Sequence, residues 1–162
     1  MPRVIVNSTP LIVLGNLNRL ELLRQLYGDV VIPQAVFREV CEKNDAASKQ
    51  ISDIGWIHIE RVLDPINRRI FQAKLHDGEV EVMLLAMQSP KADLVIIDDN
   101  AAKKTAKFLG LTVTGTLGVI LKAKRNGLVP CVTPVLKDLE NLGFFIGDEV
   151  RSLVLQQAGE ML

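Results

Sequence analysis

The sequence predicts an α/β fold on a mostly parallel sheet, and three observations carry that prediction. Short β-branched runs alternate with stretches of helical periodicity. The run at 94–97 is apolar at every position, as a strand buried on both faces requires. Gly, Pro or Asn-Gly punctuates most junctions between these segments.

Taken in order, residues 3–6 (RVIV) form a first strand ending at Asn7-Ser8-Thr9-Pro10. Ser8 or Thr9 can cap a helix with Pro10 in its first turn, and Leu20, Leu22, Leu23 and Leu26 carry helical spacing on to Tyr27-Gly28. A strand at 30–32 precedes Pro33, which opens a helix to about Lys43. A short helix within 44–55 closes at Gly55, and 56–62 alternates as a strand or an extended link. Asp64-Pro65 opens a helix to about Leu75, and Asp77 is placed to cap the helix 78–88. After the 94–97 strand come a helix at 100–109 stopped by Gly110, and a strand at 111–113. The turn TGTLG leads into a helix ending at Asn126-Gly127. Helices at 134–142 and 148–158 flank an edge strand expected at 144–146.

With 162 residues, the chain has the size of one domain and is too small for two comfortable cores. Its 48% hydrophobic residues and mean hydropathy of +0.23 exclude extensive disorder. No apolar run approaches the roughly 18–20 residues that span a bilayer. The polar NSTP interrupts the N-terminal apolar stretch, which argues against a signal-peptide core. Cys41 and Cys131 lie far apart without ligand spacing, so the expected setting is a reducing cytoplasm. The charges balance at 19 Lys+Arg against 19 Asp+Glu. This argues against a bulk electrostatic grip on nucleic acid but leaves room for a local basic patch.

The informative feature is where the acids fall. Open parallel sheets bind ligands at the carboxyl ends of their strands. Asn7 follows the first strand and Asp98-Asp99 follow the strand 94–97, while Glu79 and Glu81 open one helix and Glu39 lies on another. Carboxylates converging there repel one another unless a cation intervenes, and hard Mg²⁺ or Mn²⁺ prefers oxygen ligands. Each residue also has a structural use: Asn7 and Asp98-Asp99 as helix caps, Glu79 and Glu81 at a helix dipole, Glu39 as a solvated helix residue.

The segments VIVNSTPLIVLGNLNRLELL, VVIPQAVFREV, LHDGEVEVMLLA and LVIIDDNAAKKTAKFLGLTVTGTLGVILKAKRNGL, in that order over about 3–143, resemble the PIN-domain family. They are especially similar to small prokaryotic PIN proteins related to VapC-type toxins. The resemblance implies a three-layer α/β/α fold with a short parallel sheet. It also implies Mg²⁺- or Mn²⁺-dependent RNA cleavage by water attack, and a toxin–antitoxin context with a small antitoxin protein and frequent homodimers. Carried over, the acidic site falls on Asn7, Glu39, Glu81 with Glu79 beside it, and Asp99 with Asp98 adjacent. The hydroxyl after the first acid falls on Ser8 or Thr9. The chain departs from the family at Asn7, where Asp is usual; an amide oxygen still coordinates but brings no charge.

Further residues fit an RNA path. Lys103, Lys104 and Lys107 follow Asp99 on one helix, Lys122, Lys124 and Arg125 lie on the next, and Thr116 sits in the TGTLG turn. A solvated face and a plain turn are the alternatives. TGTLG lacks the Gly-Lys-Ser/Thr ending of a Walker motif. His58 and His76 have no paired nucleophile, and 4% aromatic residues are too few for a multi-base stacking platform. The leading expectation is a metal-dependent endoribonuclease, with Asp99, Glu81 and Glu39 as principal ligands. The alternative is a PIN-like RNA- or protein-binding module with weak or no cleavage, because of Asn7. A receiver-type phosphoacceptor fits poorly, since no acidic pair follows the first strand. The apolar residues Phe144, Phe145, Leu153, Val154 and Leu155 point to a homodimer that uses either this segment or the helices near 20–43.

Overall fold

The computed structural model describes residues 3–88 and 94–161. Met1 and Pro2 of the first apolar stretch, and Leu162 at the end of the last segment, lie outside the described residues. Strand β1 (Val4–Val6) is buried along its whole length and forms the middle of a five-stranded parallel sheet. Its neighbours are β2 (Val30–Pro33), through Ile5 beside Val31, and β4 (Leu94–Ile96), through Ile5 beside Val95. The edges are β3 (Ile57–Glu60) and β5 (Thr112–Thr114), giving the order β3-β2-β1-β4-β5. Helices α1 (Ser8–Asn16) and α2 (Glu21–Tyr27) connect β1 to β2, and α3 (Gln34–Glu42) and α4 (Ala46–Ile51) connect β2 to β3. Helices α5 (Pro65–Gln72) and α6 (Asp77–Met87) return to β4, and α7 (Asn100–Phe108) crosses to β5. Then α8 (Thr116–Arg125), α9 (Thr133–Asn141) and α10 (Asp148–Gln157) follow, and the whole is a three-layer α/β/α arrangement.

This strand order positions the site. From β1 the chain moves outward to β2 and β3, whereas from β4 it moves the opposite way to β5. The connections diverge beyond the carboxyl ends of β1 and β4, which opens a crevice between Asn7 and Asp98-Asp99. The Asn7 amide donates to the Ile96 carbonyl at 2.9 Å, so the two strand ends are locked side by side. Helix α6 is apolar on nearly every side and is buried from Gly78 to Ala86. It therefore packs inside the domain and carries Glu79 and Glu81 in with it. No helix of the described residues is long and apolar enough to cross a membrane.

Several local expectations change. The helical stretch to Tyr27 breaks after Asn16, because Asn18 takes a left-handed conformation (φ 58°) and Arg19 N–H bonds back to the Leu14 carbonyl. Residues 56–62 do contribute a strand, β3, paired to β2 at the sheet edge. The edge strand expected at 144–146 does not form. Phe144 N–H instead satisfies the Leu139 carbonyl at the end of α9, and Ile146 is buried in the second core cluster under α8, α9 and α10. The N-cap of α6 is His76 rather than Asp77.

The C-terminal segment is held by Glu160. Its carboxylate accepts from Lys124 Nζ at 2.6 Å, Thr133 Oγ1 at 2.6 Å, and the amides of Val132 (2.7 Å) and Thr133 (2.9 Å). Burial alone would raise its pKa, but these four donors outweigh burial and hold it at about 2, against an ordinary 4.5. A depressed native pKa stabilises above the unfolded value, and the contribution disappears as pH falls through the native one. Glu160→Gln is thus expected to lower the midpoint of urea unfolding at neutral pH and to flatten the loss of stability between about pH 4.5 and 2. Urea midpoints across that range check it; equal pH slopes for variant and parent would refute it.

Candidate functional site

At the crevice lies a cleft of about 330 Å³, near the lower end of roughly 300–1,000 Å³ for small-molecule sites. It is lined by Asn7, Ser8 and Thr9 from the β1–α1 junction and by Glu39 from α3. His76 and Glu79 from the start of α6 and Asp98 and Asp99 after β4 complete it.

Asn7 stands at the N-cap position of α1, yet its side chain makes no capping bond. It is 3% exposed, and its Oδ1 is buried without a hydrogen-bond partner. A buried acceptor left unpaired costs about 1–3 kcal/mol, so this oxygen carries an unmet demand for a donor or a cation. Gly78 lets a second oxygen, from Glu39, approach the same place. A Cβ at residue 78 would lie 2.9 Å from Glu39 Oε2 and 3.6 Å from Asn7 Oδ1, so the missing side chain leaves room for both.

Glu79 is 7% exposed, and its Oε1 accepts from the His76 amide at 3.0 Å. Burial raises its pKa; the His76 amide opposes this, and the nearby charges of Asp99 and Glu39 add to the rise. The electrostatics thus link Glu79, Asp99 and Glu39 as one acidic group. Asp99 caps α7 through Oδ2, on the Ala102 amide at 2.9 Å, and is exposed. Asp98 is engaged twice by Thr116, by the amide at 2.8 Å and the hydroxyl at 2.6 Å. It therefore ties the end of β4 to the start of α8.

The structure does not bring Glu81 into this set. Two residues along a helix is a rotation of about 200°, so Glu79 and Glu81 face opposite ways. Glu81 is 5% exposed and accepts from the Ala35 amide at 2.9 Å and from Arg68 at 2.6 Å. Both of its oxygens serve to hold the start of α3 against α5 and α6. Among the residues considered for RNA, Ser8 and Thr9 line the cleft, and Lys103 lines an adjoining groove. Thr116 is fully buried on Asp98, and Lys122 lies over the Tyr27 ring at 4.5 Å from its centroid. Lys104 and Lys107 are exposed on α7 and line neither opening. Sequence reasoning missed His76, which lines the cleft and the neighbouring opening beside Arg38 and Glu42. Its signal was the step from His76 to the buried GEVE turn.

Among the described residues, no three His, Cys, Asp or Glu side chains are close enough to make a metal site by themselves. The donor set fits a hard cation through its chemistry: every facing group from Asn7, Glu39, Glu79 and Asp99 offers oxygen, and one of those oxygens is orphaned. A family profile described as a PIN domain matches residues 3–160. No curated protein matches the chain.

Proposed function

The chain belongs to the PIN-domain family, a nuclease-type fold, and from that premise we propose that it is a Mg²⁺- or Mn²⁺-dependent endoribonuclease. The observation that carries this reading is the buried, unpartnered Oδ1 of Asn7, a residue that lines one cleft together with Glu39, Glu79 and Asp99. In the reading, these four residues hold the cation, while Asp98 supports the rim through Thr116. The bound ion supplies the acidity that makes water a nucleophile at neutral pH and the charge that offsets a phosphodiester. Burial and the neighbouring charges of Asp99 and Glu39 raise the pKa of Glu79, and a cation held there would offset that mutual repulsion. The Thr9 hydroxyl and the first turn of α1 receive a phosphate oxygen, because a helix N-terminus favours anions. Lys103 neutralises the strand beside the site.

A second reading is favoured by one residue. Asn7 brings no negative charge, which suits an RNA- or protein-binding module that cleaves weakly or not at all. The toxin role beside a small antitoxin, a cytoplasmic setting and a homodimer belong to the first reading. Of the late apolar residues, Phe145 and Leu153 are exposed, Phe144 and Leu155 are partly buried on the second core cluster, and Val154 is buried. Leu63, Ile66 and Ile70 at α5, each more than 60% exposed, offer a better apolar strip for a second copy.

The test is incubation of the protein with single-stranded RNA and Mn²⁺. The expected result is endonucleolytic cleavage that EDTA stops and excess Mn²⁺ restores. Cleavage that persists in chelator overturns the metal dependence. Mn²⁺ and RNA binding without cleavage selects the second reading.

A further inference from the structure

Beside the acidic cleft runs a groove lined by Asp98, Lys103, Leu117, Phe144, Phe145 and Val150. It adjoins the cleft, because Asp98 lines both. Its floor is the Gly115 turn, where an added Cβ would lie 2.7 Å from Asp98 Oδ1 and 3.0 Å from Lys103 Nζ. Glycine here lets the carboxylate and the ammonium close over the backbone. The opposite wall is the segment between α9 and α10, where the expected edge strand is replaced by an irregular loop. Ile146 anchors that loop in the core, and the adjacent Phe145 is left 89% exposed.

A single exposed apolar residue needs no explanation. Phe145 differs because it lines a groove of mixed apolar and polar residues, with Lys103 in the same lining and Asp98 shared with the acidic cleft. Those parts match a nucleotide: a flat ring for a base, an ammonium for a phosphate, and the neighbouring cleft where a phosphodiester would be cut. An apolar peptide would use the ring and Leu117 but would bring no anion to the Lys103 ammonium, which has Asp98 on one side only. Aromatic residues are too few for a multi-base platform, but one ring is enough for one base.

We propose that this groove is a nucleotide subsite, in which a base flanking the scissile phosphate of single-stranded RNA stacks on Phe145 while Lys103 pairs with the adjoining phosphate. The subsite deepens the nuclease reading and rests on it. Phe145 is a binding residue here; it takes no part in the bond cleavage. Phe108, 90% exposed at the end of α7 and outside the groove, is the internal control.

The experiment measures anisotropy of a short fluorescent single-stranded oligoribonucleotide in EDTA, together with Mn²⁺-dependent cleavage of the same strand. Phe145→Ala is expected to weaken binding about 10-fold with an unchanged salt slope, and Phe145→Trp to restore it. Lys103→Ala is expected to weaken binding and to lower the salt slope by about one phosphate contact. Phe108→Ala is expected to match the parent. If the parent binds and cleaves RNA and Phe145→Ala does both equally well, the subsite is overturned and the nuclease reading stands. If the parent neither binds nor cleaves, both fall together. A Phe145→Ala variant that keeps full RNA affinity but turns a dimer into a monomer by light scattering assigns the groove to a second copy and overturns the proposal.

Discussion

Glu79→Gln is expected to lower Mn²⁺-dependent RNA cleavage by at least about 100-fold, while Glu81→Gln leaves the chemistry close to that of the parent and weakens the fold. Changing the outer partners of metal ligands already costs about 10–100-fold, so loss of a ligand carboxylate costs more. Glu79 lines the cleft, and its pKa is raised by burial and by its acidic neighbours. Its amide isostere removes one charge with little change of shape. Removing a like charge at a buried position beside Asp99 and Glu39 also predicts that Glu79→Gln is more stable than the parent in the absence of metal. Glu81 carries the opposite pair of expectations. Both of its oxygens are used, by the Ala35 amide and Arg68, and breaking a buried pair costs about 3–5 kcal/mol, less here because the Arg68 side chain is 25% exposed. Thermal unfolding in EDTA and initial cleavage rates, read on both variants, separate the two roles. Equal loss of cleavage in both variants, with equal stability, would return Glu81 to the site.

Asn7→Asp is expected to tighten Mn²⁺ binding by about 1–3 kcal/mol, as a charge-assisted contact replaces a neutral one. Without metal, the same change is expected to lower the unfolding temperature. It puts a carboxylate at a position 3% exposed, beside Glu39, and without a hydrogen-bond donor. Mn²⁺ should therefore raise the melting temperature of the variant more than that of the parent, because an ion that binds only the native state stabilises it by mass action. Asp and Asn cap helices about equally well, so a capping role predicts no change. Calorimetric Mn²⁺ titration and melting curves with and without the ion check the expectation. Identical values for Asn7→Asp and the parent would remove Asn7 from the cation site.

The rim of acids was legible in the sequence because its causes are local. A fully apolar run ending in Asp98-Asp99, and a strand ending at Asn7, place polar groups at strand ends whatever surrounds them. Helix α6 shows the limit of that reasoning. The GEVE turn offers two acids, and helical rotation alone says that only one can face any given side. Choosing between them required knowing what lies on each side of α6: Asn7, Glu39 and Asp99 toward Glu79, and the start of α3 with Arg68 toward Glu81. The same applies to the lysines. Helical spacing put Lys103, Lys104 and Lys107 on one helix, but the approach of α8 and of the 144–147 loop made a groove only at Lys103.

By itself the sequence determined the α/β alternation, the buried β1 and β4, and the residues at their carboxyl ends. Periodicity and β-branched runs act over a few residues and need no partner to be read. Tertiary structure alone decided that Asn7 caps nothing, that Asp98 holds Thr116, and that Phe145 stands on a groove instead of an edge strand. Each of these depends on a hydrogen-bond donor or a packing surface supplied by residues far away in the chain. A side chain's free valence is whatever remains after those distant partners have been satisfied.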